Sequence, residues 1–430
     1  AELLPALAQH HEVLAVVEDP TLVDSTAIPG ASLVASRSAP EADLDVYAIG
    51  TPREHVFAYQ AALRRPGVVL LHEWILHDLV WREAAEQDDV YRYLQEMRAS
   101  HGESGTFVGR QVIFGRGGSV LPRLFAVNDR LLESSLGAAT LTREAEVRLK
   151  HRHPRIPRLH LPPHLALPEA PLPSRDEARR SLGLPHDGLL VTAPGHATGS
   201  VQLEALMHAI GRVRAELPSL RLVVAGDIEP GLPWETWASA AGLGEALVIT
   251  GRLSREDLLW HLIAADVVSA LRFPSRGEMP AQLVRALGLG RPVLVTAGTP
   301  GAEEMPEGAV VPIDPGPREG EELVALLREL LTSERLREAI GAVARAHASA
   351  HHGLEGVATD LSAFLVAVRD RRTELLGDMT DWTEEGTLAA YLAGEVRRPA
   401  RDLGLELQRL ALQPLLAPLA VPRRPTEDQG

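Results

Sequence analysis

Between residues 185 and 313 strand-length apolar runs at 189–193, 220–226, 246–251, 266–272 and 292–297 take turns with helical patterns at 202–217, 234–241, 254–265 and 280–290. Runs that are apolar almost throughout must be buried on both faces. A parallel sheet covered by helices on each side provides that environment, and an antiparallel sheet with one wet face does not. Ser254 stands three residues before Asp257 and just ahead of Leu258-Leu259-Trp260, a capping-box pattern that predicts a helix starting there.

The first 165 residues repeat the theme less cleanly, with strands expected at 12–17, 44–50, 67–72, 138–142 and 158–162 and helices at 52–65, 88–100 and 143–151. Pro168, Pro171 and Pro173 stiffen the stretch 165–174, which reads as a linker. The expected organisation is therefore a domain at 1–170, a second at 175–365 and a helical extension at 366–430. In that extension Leu388, Tyr391, Leu392, Leu403, Leu405, Leu407 and Leu410 offer apolar surface to the first domain or to a second copy. Residues 423–430 read as a disordered tail. Ligands of open α/β sheets bind beyond the carboxyl ends of the strands, so the cleft between two such domains is the expected site.

Composition removes whole classes of chemistry. Basic residues number 43 against 58 acidic ones, a net charge of −15 that argues against a nucleic-acid-binding surface. Cysteine is absent, which excludes disulfides, thiolate metal sites and cysteine nucleophiles. Lys150 is the single lysine and its neighbours match neither a P-loop nor a Schiff-base site. Apolar stretches fall short of the ~20 residues that span a bilayer, and no signal peptide opens the sequence, so a cytoplasmic location is expected. His10-His11, His351-His352 and the His151/His153 pair lack metal-site spacing, and no metal is expected. Arg143, Arg148, Lys150, Arg152, Arg155 and Arg158 give residues 143–160 a basic face, either a solvated helix end or a peripheral contact with an anionic membrane.

One stretch carries more than periodicity. It runs Leu271-Arg272-Phe273-Pro274-Ser275-Arg276-Gly277-Glu278-Met279-Pro280, continues through Leu283-Val284-Arg285-Ala286-Leu287, and ends at Gly290-Arg291-Pro292-Val293. Together with Gly50, His55, Tyr59 and the run Leu71-His72-Glu73-Trp74-Ile75-Leu76-His77, it makes residues 1–365 resemble bacterial family-4 glycosyltransferases. The resemblance implies the GT-B fold, an α/β architecture of two facing Rossmann-like doubly wound domains. It also implies a retaining transfer of sugar from a nucleotide-diphosphate donor to an acceptor, with no metal cofactor.

By the same resemblance, the turn Gly277, Glu278, Met279, Pro280 would offer main-chain N–H groups to the donor diphosphate, because a helix start carries about half a positive charge. Glu278 would meet the donor sugar's hydroxyls or else cap its helix. His72 would line the reaction centre, His55 and His77 the acceptor side, and Gly195, His196 and Arg285 the donor side. Departures accompany the likeness. Val201 and Gln202 stand where the family places a basic pair, so Arg252, Arg272 and Arg276 become the candidate phosphate cations. Residues 1–9 read as a helix where the family has a strand and a Gly-rich loop before it. Two other readings stay open on these departures: a glycosyltransferase-like binding or scaffold protein without catalysis, and a GT-B nucleotide-sugar epimerase.

Overall fold

A computed structural model describes residues 2–23, 28–118, 120–168 and 171–383. In the first half β1 (Val13–Val17) pairs in parallel with β2 (Ala31–Ala35). A separate parallel sheet holds β3 (Val46–Ile49), β4 (Val68–Leu71), β5 (Gly137–Thr140) and β6 (Arg158–His160) in that order. Among the described residues no strand pairs with the second edge of β1 or of β3. The sequence pattern did not anticipate β2, since Ala31-Ser32-Leu33-Val34-Ala35 mixes small and polar residues and makes no apolar run.

Helices Val56–Arg64 and Arg143–Arg152 fall where expected. The third is longer than its pattern: Val90–Ile113 continues past a break at Gly102, whose φ of 59° lies in the region glycine tolerates. Helix His77–Glu86 was not foreseen. The basic face at 143–160 is partly neutralised, because Arg148 pairs with Glu144 and Arg152 with Asp129. Among the described residues no helix is long and apolar enough to cross a membrane.

The second half forms one six-stranded parallel sheet from β7 (Leu190–Pro194), β8 (Arg221–Ala225), β9 (Leu247–Ile249), β10 (Val267–Ser269), β11 (Val293–Thr296) and β12 (Val311–Ile313). Its order is β12-β11-β10-β7-β8-β9. Helices Leu203–Arg214 and Glu319–Thr332 cover one face through Leu206, Ile210 and Leu327, and Leu262, Leu283 and Leu287 cover the other. Pro312 hid β12 from the sequence pattern. Proline cannot donate to a ladder, and β12 tolerates it because it is an edge strand. Chain order reverses between β7 and β10, which opens a crevice at their carboxyl ends.

The chain then returns to the first half earlier than expected. Helix Leu354–Asp370 begins inside the range assigned to the second domain, yet Val357 and Leu361 pack with Ala139 and Leu161, and Val368 packs with Val68 and Leu136. Val357, Leu361, Phe364 and Val368 recur at helical spacing, so one stripe lies over β4 and β5. Gly137 in β5 permits the approach, since a side chain there would lie 3.1 Å from Phe364 and Val368. Helix Arg372–Thr383 follows and seats Leu375 in the same cluster. Residues 384–430, with Leu388, Tyr391, Leu392, Leu403, Leu405, Leu407, Leu410 and the 423–430 tail, lie outside the described residues.

Candidate functional site

A cavity of about 880 Å³ lies between the halves, walled by Asp78, Arg82 and Arg123 from the first and by Gln202, Glu229 and Arg276 from the second. Residues 275–278, the turn after β10, meet the first half directly. The main-chain N–H groups of Trp74 and Ile75 donate to the Arg276 carbonyl at 2.9 and 3.1 Å, and Thr142 donates its hydroxyl to the Gly277 carbonyl at 3.3 Å. Gly277 adopts a φ of 77° and faces Trp74, where a Cβ would lie 3.1 Å from the tryptophan Cβ. Only glycine suits that combination.

The Arg276 guanidinium pairs with Asp78 and lies 3.9 Å from Glu73. Glu73 is 9% exposed and accepts from the Thr51 N–H and hydroxyl at 2.6 and 2.7 Å. Burial raises the Glu73 pKa, and the Arg276 charge opposes the rise. Arg276 is therefore a bridge between the halves, and its charge is already compensated.

Glu278 turns back on its own loop, accepting from the Arg276 N–H at 2.5 Å and the Ser275 hydroxyl at 3.0 Å. Met279 is buried among core residues of the second half, so only its backbone can serve a ligand. Pro280 precedes helix Ala281–Gly288 as its N-cap residue, and no side chain caps that helix start.

Arg272 differs from Arg276. It follows β10 at the crevice, and its guanidinium donates to the Leu271 carbonyl at 3.0 Å, with no carboxylate in ion-pair range among the described residues. Burial lowers its pKa, with Glu278 opposing. Across the crevice, Val201 is core-packed. Gln202 accepts from Thr296 at 2.7 Å and donates to Glu319, so neither supplies positive charge. At the end of β7, Gly195 has a φ of 92°, and His196 lies 3.0 Å from Asp227.

On the first-half side, the His55 and His72 rings meet edge-on with centroids 5.4 Å apart, and the Nδ1 of His55 lies 2.7 Å from the Ala48 carbonyl. His72 is exposed, with the protein close on its other sides. Lost hydration, helped by His55, holds its pKa down to about 4, so the ring is neutral at pH 7.

Three expected site residues are placed elsewhere. His77 is 1% exposed in the first-half core, its Nε2 2.7 Å from the Tyr93 hydroxyl, because helix His77–Glu86 turns it inward. Arg285 donates to Glu2 at 2.7 Å and to Gln282 at 2.6 Å, so its charge is spent on the N-terminal segment. Burial would raise the Glu2 pKa, but His164, Arg285 and Arg255 outweigh it and hold it at about 2. Arg252 is exposed after β9 and, like Arg272, stands outside the residues that wall the cavity.

Sequence reasoning missed Glu73, Asp78, Arg82 and Arg123. Asp78 and Arg82 share one face of a helix at i, i+4, a signal available only once that helix is recognised. Arg123 follows Pro122 in a short turn and shows no pattern at all. Among the described residues no cluster of histidines and carboxylates is arranged for a metal ion.

Two Rossmann-like halves facing across a crevice, with a helix start beside it, define the GT-B fold. Solved structures agree. WaaG, a glycosyltransferase involved in lipopolysaccharide biosynthesis, superposes with a TM-score of 0.57 at 18% identity, covering 85% of this chain and 94% of that one. Sucrose-phosphate synthase of Thermosynechococcus elongatus gives 0.54 at 16% identity over 85% and 92%. HepE of Anabaena, solved with UDP and glucose, gives 0.54 at 14% identity over 87% and 95%. Residues 174–347, in the second half, match the family described as glycosyl transferases group 1. Among curated proteins nothing matches the chain.

Proposed function

We propose that this protein is a retaining glycosyltransferase that moves a sugar from a nucleotide-diphosphate donor to an acceptor held in the cleft. The observation that carries the reading is Arg272, a half-buried cation at the switch point of the second sheet with no carboxylate partner among the described residues. Enclosing an unpaired charge costs free energy, which an arriving anion would offset. The uncapped start of helix Ala281–Gly288 lies in the same stretch and favours the same anion. HepE, on the same fold, is solved with UDP-glucose, which supports a nucleotide sugar as donor.

In this reading Arg272 and the helix start offset charge on the leaving diphosphate, usually the largest catalytic term. The acceptor hydroxyl attacks the anomeric carbon on the face from which the diphosphate departs. The departing phosphate oxygen takes the hydroxyl proton, so no protein nucleophile is required. Neutral His72 lines the reaction centre, and Glu278 keeps the donor turn in shape.

A binding or scaffold role without catalysis is the second reading, favoured by core-packed Val201 and by Glu278 being engaged within its own turn. Calorimetry with nucleoside diphosphates on the parent and on Arg272→Ala separates them. The transferase reading expects binding by the parent and a loss of roughly 10- to 150-fold in the variant, the worth of a charge-assisted contact of about 1.5–3 kcal/mol. A parent that ignores every nucleoside diphosphate at millimolar concentration leaves the scaffold reading in its place.

A further inference from the structure

The first-half wall of the cleft carries two arginines for which the donor chemistry has no use. Arg123 ends the turn Leu121–Arg123 and is 8% exposed, and its Nε is enclosed without any hydrogen-bond partner. Arg82 lies one helical turn after Asp78 and lines the same cavity. Asp78 shares that wall but is engaged by Arg276, and no carboxylate stands within ion-pair distance of Arg82 or Arg123 among the described residues.

Beside Arg276, whose charge Asp78 compensates, the facing wall is acidic. Glu204 and Glu229 line it from the second half, both exposed to the cavity. Glu229 accepts one N–H, from Gly199 at 3.1 Å, and keeps further lone pairs for other donors. A ligand suited to this cleft has an anion at the first-half end and hydroxyls at the second-half end. The guanidinium fork matches phosphate oxygens, and carboxylates accept from sugar hydroxyls.

We propose that the acceptor is a phosphate-bearing sugar, its phosphate held by Arg123 and Arg82 and its hydroxyls directed towards Glu229 and Glu204. The proposal rests on the glycosyltransferase reading and adds the acceptor class to it. It also separates two phosphate sites, the donor's at Arg272 in the second half and the acceptor's at Arg123 in the first. Burial of Arg123 makes sense on these terms: Asp78 and Glu229 act on it only from beyond ion-pair range, and a bound phosphate would supply the direct partner.

Calorimetry on the full chain tests this with inorganic phosphate, glucose 6-phosphate, fructose 6-phosphate and the free hexoses, and with UDP in parallel. The parent, Arg123→Gln and Arg82→Gln are compared. At least one hexose phosphate is expected to bind well above its free hexose. Arg123→Gln should weaken it roughly 10- to 150-fold and Arg82→Gln less, with UDP affinity unchanged in both. Should Arg123→Gln fail to fold, Arg82→Gln carries the same comparison. Equal loss of UDP and hexose phosphate would assign the arginines to the donor and overturn the proposal. A parent that binds UDP but no phosphate probe overturns it while leaving the transferase reading intact. A parent that binds neither removes both.

Discussion

In the second half six strands share one ladder from β12 to β9, whereas in the first β1–β2 and β3–β6 stand apart. The second half buries its strands under helices that are their neighbours in the chain. The first half instead takes helix Leu354–Asp370, which follows the whole second half in sequence, to cover β4 and β5. Leu361 thus reaches Ala139 across more than half the chain. Local pattern can build the second half alone, while the first is completed only when the chain comes back. The charges divide in the same way. The second half brings the donor turn and Arg272, and the first half brings the free arginines Arg82 and Arg123.

The sharpest way to break this comparison is Leu361→Ala. Leu361 is almost fully enclosed, and truncating such a leucine costs about 2–5 kcal/mol. Amide exchange should accelerate across β3–β6 while β7–β12 keeps its protection. Equal acceleration in both sheets would show that the halves open as one unit.

A smaller effect separates the halves by pH. Burial against Tyr93 lowers the His77 pKa from its ordinary value near 6.5 to about 4, so folding favours the neutral ring. Its contribution is fully present above pH 6.5 and is lost as pH falls from there towards 4, because the unfolded chain binds the proton first. At pH 5 the loss amounts to about 2 kcal/mol. His77→Gln should flatten the fall in melting temperature between pH 7 and 5, seen most clearly by probes in the first half. An unchanged slope would remove His77 from the account.

The smallest expected effect concerns Arg252, exposed and outside the cavity wall. Arg252→Ala should change nucleoside diphosphate affinity by less than about 0.5 kcal/mol, as surface substitutions do. A loss comparable to that of Arg272→Ala would place the donor elsewhere on the second half.

The residues show how far a sequence reading reaches. The turn at Gly277 was legible through the resemblance carried by residues 271–293, and the structure adds the positive φ that the glycine permits. The helix start at Ser254 was legible as a local capping-box pattern, and Ser254 does accept from the Asp257 N–H at 3.0 Å. His77 was misplaced because one helix, His77–Glu86, went unrecognised and its inward face stayed hidden. Arg285 was misplaced because its partner Glu2 lies at the far end of the sequence.

The sequence by itself determined the parallel sheet of the second half and the helix start at Ser254. Strands buried on both faces must be apolar throughout, and that demand is written residue by residue. Only the tertiary structure decided which arginines keep a free charge. Arg276 meets Asp78 from the other half, and Arg285 meets Glu2, while Arg272 and Arg123 have no carboxylate in ion-pair range among the described residues. An ion pair depends on distance in space between segments far apart in the chain, and no local pattern records it.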